Sequence, residues 1–164
     1  ATTNTSGASS KPYGSSPIFA VFDTRRGQRE GDEGDKILAF HPSSLDLNAQ
    51  KGIVGFAEAT IMFSSTFSKE KSAHSIVTKL QRWVLAEVEP SIFLLLIVQR
   101  TGAVGEVREE ALQQMLGRVY SMICIDNKSI QCMLDTDPTG EGVRQSLTSL
   151  VADVATAVGH EKGR

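Results

Sequence analysis

The chain has 164 residues, with 17 Lys and Arg against 19 Asp and Glu and a formal net charge of −2. That length suits one domain with a sizeable core, since a chain of about 150 residues buries roughly 70% of its unfolded surface. The charge gives no general attraction for nucleic acid or an anionic membrane, and the longest apolar run, Ile92–Val98, is about a third of what a bilayer span requires.

Residues 1–16 are rich in Ser, Thr, Gly and Asn and hold no apolar segment for a secretion signal. They have almost nothing to bury, so a disordered tail is expected. Ala1 stands where an initiator Met would, which points to a fragment or a trimmed chain. Asn4-Thr5-Ser6 and Asn127-Lys128-Ser129 match the glycosylation pattern, read here as chance without a secretion signal. Cys124 and Cys132, the two cysteines, lack zinc-site spacing and read as reduced, buried thiols of a cytosolic protein.

Ile18–Asp23 and Lys36–His41 are predicted as the first two strands, the second halted by Pro42. Between them lies a charged stretch with Arg25, Arg26, Arg29, Glu30, Asp32, Glu33 and Asp35. Ser44 or Asp46 then caps a helix over Asn48–Phe67. Its apolar positions Ile53, Phe56, Ala57, Thr60, Phe63, Ser64 and Phe67 recur at three- and four-residue steps, which predicts the buried side. Val54, Ile61 and Met62 lie off that side, so the helix is apolar on more than one face and calls for cover. Gly52 and Gly55 each cost about 1 kcal/mol relative to Ala, tolerable near the helix start, where another backbone can approach closely.

Ser68–Ser72 is a polar break, followed by predicted strands His74–Lys79 and Arg82–Glu89 with a turn near Lys79-Leu80-Gln81. Pro90 ends the pair, and Ile92–Gln99, almost all Ile, Leu, Val and Phe, suits a central strand covered on both faces. After the Thr101–Gly105 loop, Val107–Ile125 reads as an amphipathic helix with Val107, Ala111, Leu112, Met115, Val119, Met122 and Ile123 on one side. Ser129–Asp135 is a short continuation, Asp137-Pro138-Thr139-Gly140 a turn, and Gly142–Val158 a last helix stopped by Gly159. Its stripe is Val143, Leu147, Leu150, Val151, Val154 and Val158. The order implies an α/β domain: a five-stranded, antiparallel-rich sheet with helices on both faces.

No pattern demands catalysis. The acidic residues of the charged stretch miss the calcium-loop spacing, and the arginines among them oppose a cation. No Gly-Lys-Ser/Thr ending leads into a helix there, and Gly102-Ala103-Val104-Gly105 lacks the same lysine. His41, His74 and His160 sit on different elements and read as surface or helix-flanking residues, and no Gly-x-Ser-x-Gly elbow is present. Trp83, in a strand, reads as core. The charged stretch reads as a hairpin tip whose Arg25, Arg26 and Arg29 stay in water.

Phe22-Asp23, the Arg-Gly-x-x-Glu-Gly-x-Glu stretch at 26–33 and Lys36-Ile37-Leu38-x-Phe40-x-Pro42 resemble the start of the Ccz-one family. Gly52-x-x-Gly55-x-x-Glu58-Ala59, Phe63–Ser68 and Glu87-x-Glu89-Pro90 before the apolar strand fit the same family. The likeness covers residues 17–100 by motif and 107–158 by order of elements. It implies a longin (profilin-like) fold over residues 17–159, one helix on one face of the sheet and two on the other, with tails at 1–16 and 160–164. It also implies a non-catalytic subunit that binds no cofactor, metal or nucleotide of its own. That subunit pairs with a Mon-one-type longin protein and promotes nucleotide exchange on a Rab-seven-type GTPase in endosome-to-vacuole traffic. The expected location is cytoplasmic, peripheral on late endosome and vacuole membranes, with membrane association indirect through the complex and no nucleic-acid partner.

In longin pairs the first helix and the third strand commonly form the shared surface. The resemblance therefore points to Val54, Glu58, Ile61, Met62 and Ser65 on the helix and Ser75, Val77 and Lys79 at the strand. A longin scaffold or adaptor of a related complex, without exchange activity, is the alternative.

Overall fold

The computed structural model describes residues 16–68, 75–100 and 106–160. The expected tails (except residue 16 and the end of the last helix), His74 and the Thr101–Gly105 loop lie outside the described residues. Five strands, β1 (Ile18–Asp23), β2 (Ile37–His41), β3 (Ser75–Val77), β4 (Gln81–Glu89) and β5 (Ile92–Gln99), form one sheet in the order β2-β1-β5-β4-β3. Every neighbouring pair is antiparallel. β1 and β5 lie inside the sheet with both faces covered, which is why each reads as an unbroken apolar run.

Alternation along the strands sends Phe19, Val21, Leu94 and Leu96 into one core and Ile18, Ala20, Phe22, Leu95 and Ile97 into the other. α1 (Leu47–Phe67) covers the second core. α2 (Glu109–Asn127), α3 (Ile130–Thr136) and α4 (Glu141–His160) cover the first. The expected pair of helices on that face is thus three. Lys128 turns the chain at φ 62°, and the Ser129 hydroxyl then accepts the Cys132 N–H at 3.1 Å to start α3 as a helix of its own. Among the described residues no helix is long and apolar enough to cross a membrane.

α1 sits in a different phase from the one its periodicity suggested. Asp46 caps it by accepting the Ala49 N–H at 2.7 Å, and Ile53, Val54, Ala57 and Ile61 are the residues that bury. Phe63 and Phe67, expected inside, are exposed. The four buried side chains pack into the core on that face of the sheet, and each buried Ile or Val contributes about 1.5–3 kcal/mol. On α2 the stripe is Leu112, Leu116, Val119 and Ile123, which leaves Ala111, Val107 and Met122 outside, while α4 buries the expected valines and Leu147. The cysteines are free, but only Cys124 is half-buried; Cys132, expected in the core, is exposed. Trp83 is core, its indole N–H bonded to Gln81 Oε1 at 3.2 Å.

A bulge late in β4 changes the direction of its last side chain. Glu87 stands opposite Phe93 and Glu89 opposite Ile92, with one more residue on β4 than on β5 between the pairs. Phe93 belongs to the α1 core and Ile92 to the α2 core, so Glu89 points toward the three-helix layer. There its carboxylate accepts the Tyr120 hydroxyl at 2.7 Å and the Ile130 and Gln131 N–H groups at 3.0 and 2.8 Å, capping α3 from another element. Burial first, then bonding with Cys124 and Glu89, keeps the Tyr120 phenol protonated far above its usual range.

The charged stretch between β1 and β2 is a strap that binds both layers. Buried Asp23 accepts two guanidinium contacts from Arg25 at 3.0 and 2.8 Å, and Arg25 reaches on to Gln131 of α3. Arg26 donates to the carbonyls of Asp35, Pro138 and Thr139 at 2.8–3.0 Å. On the other side Lys36 pairs with Glu58, and Lys51 with Glu33 at 3.3 Å, both on α1's flank. Two of the three arginines expected in water are therefore structural; Arg29 is exposed. Gly27 allows the strap's sharp bend. Its φ is +60°, and a Cβ there would stand 2.6 Å from the Asp32 carbonyl oxygen.

Candidate functional site

α1 offers the surface on which a partner can act. Its sequence holds two charged residues, Lys51 and Glu58, and both are drawn sideways into ion pairs with the strap. The large side chains left outward from Phe56 onward are apolar, Phe56, Met62 at 64% exposure, Phe63, and Phe67 at 75%, and the exposed polar residues beside them, Ser65 and Thr66, are small. Phe63 and Phe67 lean on one another with ring centroids 4.8 Å apart, and Phe56 meets Trp83 edge-on at 5.2 Å. The polar residues among them have returned their hydroxyls to the helix. Thr60 donates to the Phe56 carbonyl, Ser64 to Ile61, and Ser65 and Thr66 to Met62. Such a face carries little polar demand of its own, so covering it costs little desolvation.

β3, the edge of the sheet, packs Ile76 against the α1 core, and its last residue Val77 and Leu80 of the following turn are exposed. The same turn is braced by Thr78, whose N–H and hydroxyl both go to the Gln81 carbonyl, and by Arg100, which donates to the Thr78 carbonyl at 2.8 Å. Aromatic and aliphatic side chains on a rigid helix, flanked by a short sheet edge, have the composition of an interface core, where charge is depleted.

The eight residues expected to bind a partner divide. Met62, Ser65, Val77 and Lys79 are exposed, and Glu58 and Ser75 are half-buried, Glu58 on Lys36 and Ser75 donating to Glu109 Oε2 at 2.9 Å. Val54 at 0% and Ile61 at 9% exposure lie under the helix in the sheet core, Val54 with no surface and Ile61 with little. Phe56, Phe63, Phe67 and Leu80 are the large outward residues that sequence reasoning left out, because period alone assigned the phenylalanines to the core. The signal was there: taking Ile53, Ala57 and Ile61 as the buried line puts every phenylalanine of the helix outside it.

Electrostatics around the face come from the strap. The Gly31 N–H, the residue's own N–H and then Lys51 hold the Glu33 carboxyl below its usual range, and burial lowers the His41 imidazole on β2. Among the described residues no group of three or more His, Cys, Asp or Glu stands together to hold a metal ion.

An antiparallel five-stranded sheet with one helix on one side and the remaining helices on the other is the architecture of a longin-type domain. The family model described as the first longin domain of INTU, CCZ1 and HPS4 matches residues 16–128, and the chain belongs to that family. It is similar to "Vacuolar fusion protein CCZ1 homolog B" of Arabidopsis thaliana, 37% identical over 136 residues, or 82% of this chain and 27% of that protein. The "Vacuolar fusion protein CCZ1 homolog" of Oryza sativa subsp. japonica is 34% identical over 148 residues, 90% of this chain and 30% of its own length. The homolog of Dictyostelium discoideum is 31% identical over 133 residues, 80% and 29%. The chain thus spans less than a third of the length of these relatives, all named for vacuolar fusion.

Proposed function

We propose that this chain is the first longin domain of one subunit of a heterodimeric guanine-nucleotide exchange factor for a Rab-seven-type GTPase. It pairs with a Mon-one-type longin domain, works in endosome-to-vacuole traffic, and sits on late endosome and vacuole membranes only through the complex. The observation that carries the reading is the uncharged, aromatic outer face of α1 in a domain whose sheet ends at the short β3, in a chain whose relatives are named for vacuolar fusion. A monomer gains nothing by exposing Met62, Phe63 and Phe67 together. The chemistry is one of affinity: a subunit that binds the nucleotide-free GTPase more tightly than the loaded one drives release by that difference.

The test is release of labelled GDP from a Rab-seven-type GTPase by the full complex, with wild-type subunit and with one lacking this domain. Acceleration that depends on the domain supports the reading, and equal rates overturn it. The same family model also describes INTU and HPS4, which favours one second reading, a longin scaffold of a related complex without exchange activity. Identifying the longin protein that co-purifies with the full-length subunit separates the two.

A further inference from the structure

Between the C-terminal half of α1 and the β4–β5 turn lies a groove of about 370 Å³. Ile61 and Phe93 form part of its wall at the buried end, and Met62 and Ser65 are exposed along it. Glu58 and Glu87 bring two carboxylates to it. Glu58 is matched by Lys36. Glu87 is exposed and, among the described residues, has no cation paired with it. Its carboxylate is held in place, because Oε1 accepts the Ser91 N–H at 2.9 Å where the turn passes through a φ of 66°.

We propose that this groove receives an arginine or lysine side chain of the GTPase, with Glu87 as its counter-ion. The inference rests on the reading of α1 as the partner-binding face. A long cationic side chain lays its methylene stem along Met62 and Phe93 and keeps its charged head at the rim, the arrangement these side chains prefer. A neutral apolar group filling the same groove would strip water from Glu87 without returning a partner, and an anionic lipid headgroup would be repelled by it.

The choice between the two proteins of the complex follows from the character of the two surfaces. The aromatic strip of α1 beside β3 is free of unpaired charge, which suits a permanent partner whose interface resembles a domain core. A lone oriented carboxylate at the mouth of an apolar groove suits a partner that arrives and leaves, since complementary charge acts on encounter rate and specificity. The groove lies at the Glu87 end of β4, whereas β3 pairs with its start, Arg82 to Val84.

Glu87→Gln and Glu87→Lys in the full-length subunit test this, assembled with the Mon-one-type partner and titrated with nucleotide-free Rab-seven-type GTPase at low and high salt. Gln keeps an oxygen for the Ser91 N–H, so melting temperature and assembly should match wild type. Affinity for the GTPase should fall on the order of tenfold with Gln and further with Lys, with a flatter salt dependence. A Lys→Glu or Arg→Glu substitution on the GTPase should restore binding to Glu87→Lys. Wild-type affinity in both variants, or a loss confined to subunit assembly, overturns the proposal. Phe67→Asp, outside the groove, separates the two levels. If it blocks assembly while the Glu87 variants bind normally, the groove is wrong and the face is right. If it too leaves assembly intact, the reading of the face fails.

Discussion

Glu87 and Glu89 stand two residues apart on β4 yet serve opposite layers of the domain, Glu87 at the β4–β5 turn on the α1 side and Glu89 at the start of α3. The bulge between them is what separates their tasks, because a regular strand would send both to one face. Removing the Glu89 carboxylate leaves the Tyr120 hydroxyl and two helix N–H groups without an acceptor. Glu89→Ala is expected to cost about 2–3 kcal/mol, measured by urea unfolding, with Glu89→Gln recovering part of it. An unchanged midpoint would show that water replaces the carboxylate at no cost.

Ile61 and Met62 are neighbours on α1 with opposite fates, 9% and 64% exposed. Ile61→Ala should destabilise the domain by about 2–4 kcal/mol through lost burial and the cavity left behind. Met62→Ala should change stability by less than about 0.5 kcal/mol. Denaturant curves on the two variants check both, and equal losses would place Met62 in the core. Met62→Asp should leave the melting temperature near wild type while weakening partner association at least tenfold in gel filtration or calorimetry.

The strap makes its own contrast. Arg26 serves three carbonyls on two segments, and Arg29 is exposed. Arg26→Ala is expected to cost about 1.5–3 kcal/mol, as for hydrogen bonds from a charged donor, and to speed amide exchange in residues 27–36. Arg29→Ala should be neutral within about 0.5 kcal/mol. Equal, small effects would mean the strap is held by its backbone alone.

Asp137 sets part of the acid limit. It accepts the Thr139 hydroxyl at 2.6 Å and the Gly142 N–H at 2.9 Å, and these, the hydroxyl foremost, hold its carboxyl below the ordinary value of 3.8. Between the lowered folded value and that ordinary value the unfolded chain holds more protons, so stability rises with pH across this window. The contribution is complete above the ordinary value and is lost as pH falls through the folded one. Asp137→Asn should flatten that part of the curve of urea midpoint against pH, and a wild-type slope would assign the acid loss elsewhere.

Among the described residues, and apart from α1's own backbone, no atom lies within 4 Å of where a Cβ on Gly52 or Gly55 would stand. Gly52→Ala should then stabilise the domain by up to about 1 kcal/mol, read as a higher melting temperature. A fall would show that a neighbour within the domain already occupies that space.

The strands were legible because their signals are local. Apolar runs bounded by Pro42, Pro90 and charged breaks placed four strands within a residue or so, and a stretch of Ile, Leu and Val announced a central β5. The motif order named the family. What failed depended on phase or distance. Period alone cannot tell which of two apolar stripes on α1 faces the sheet, and Phe63 and Phe67 looked like core by chemistry. Nor can it show that Lys128 breaks α2 from α3. A bulge of one residue in β4 left no compositional mark, and the work of Arg25 and Arg26 depends on α3 and the α3–α4 turn, more than a hundred positions away in the chain. The eight expected contact residues shared that weakness, and Val54 and Ile61 were lost to the core with the helix phase.

The two borders of the sheet are unlike. At β2, Arg144 takes the Ile37 carbonyl at 3.1 Å and Pro42 follows the last residue, so that border offers a poor template for another strand. At β3 there are three residues, and among the described residues no such guard is seen. A sheet with one receptive border can be completed by a neighbour but cannot pass the pairing on. Two such domains joined at β3 would present only the β2 borders at their ends, so such an assembly would stop at a pair instead of growing into a filament.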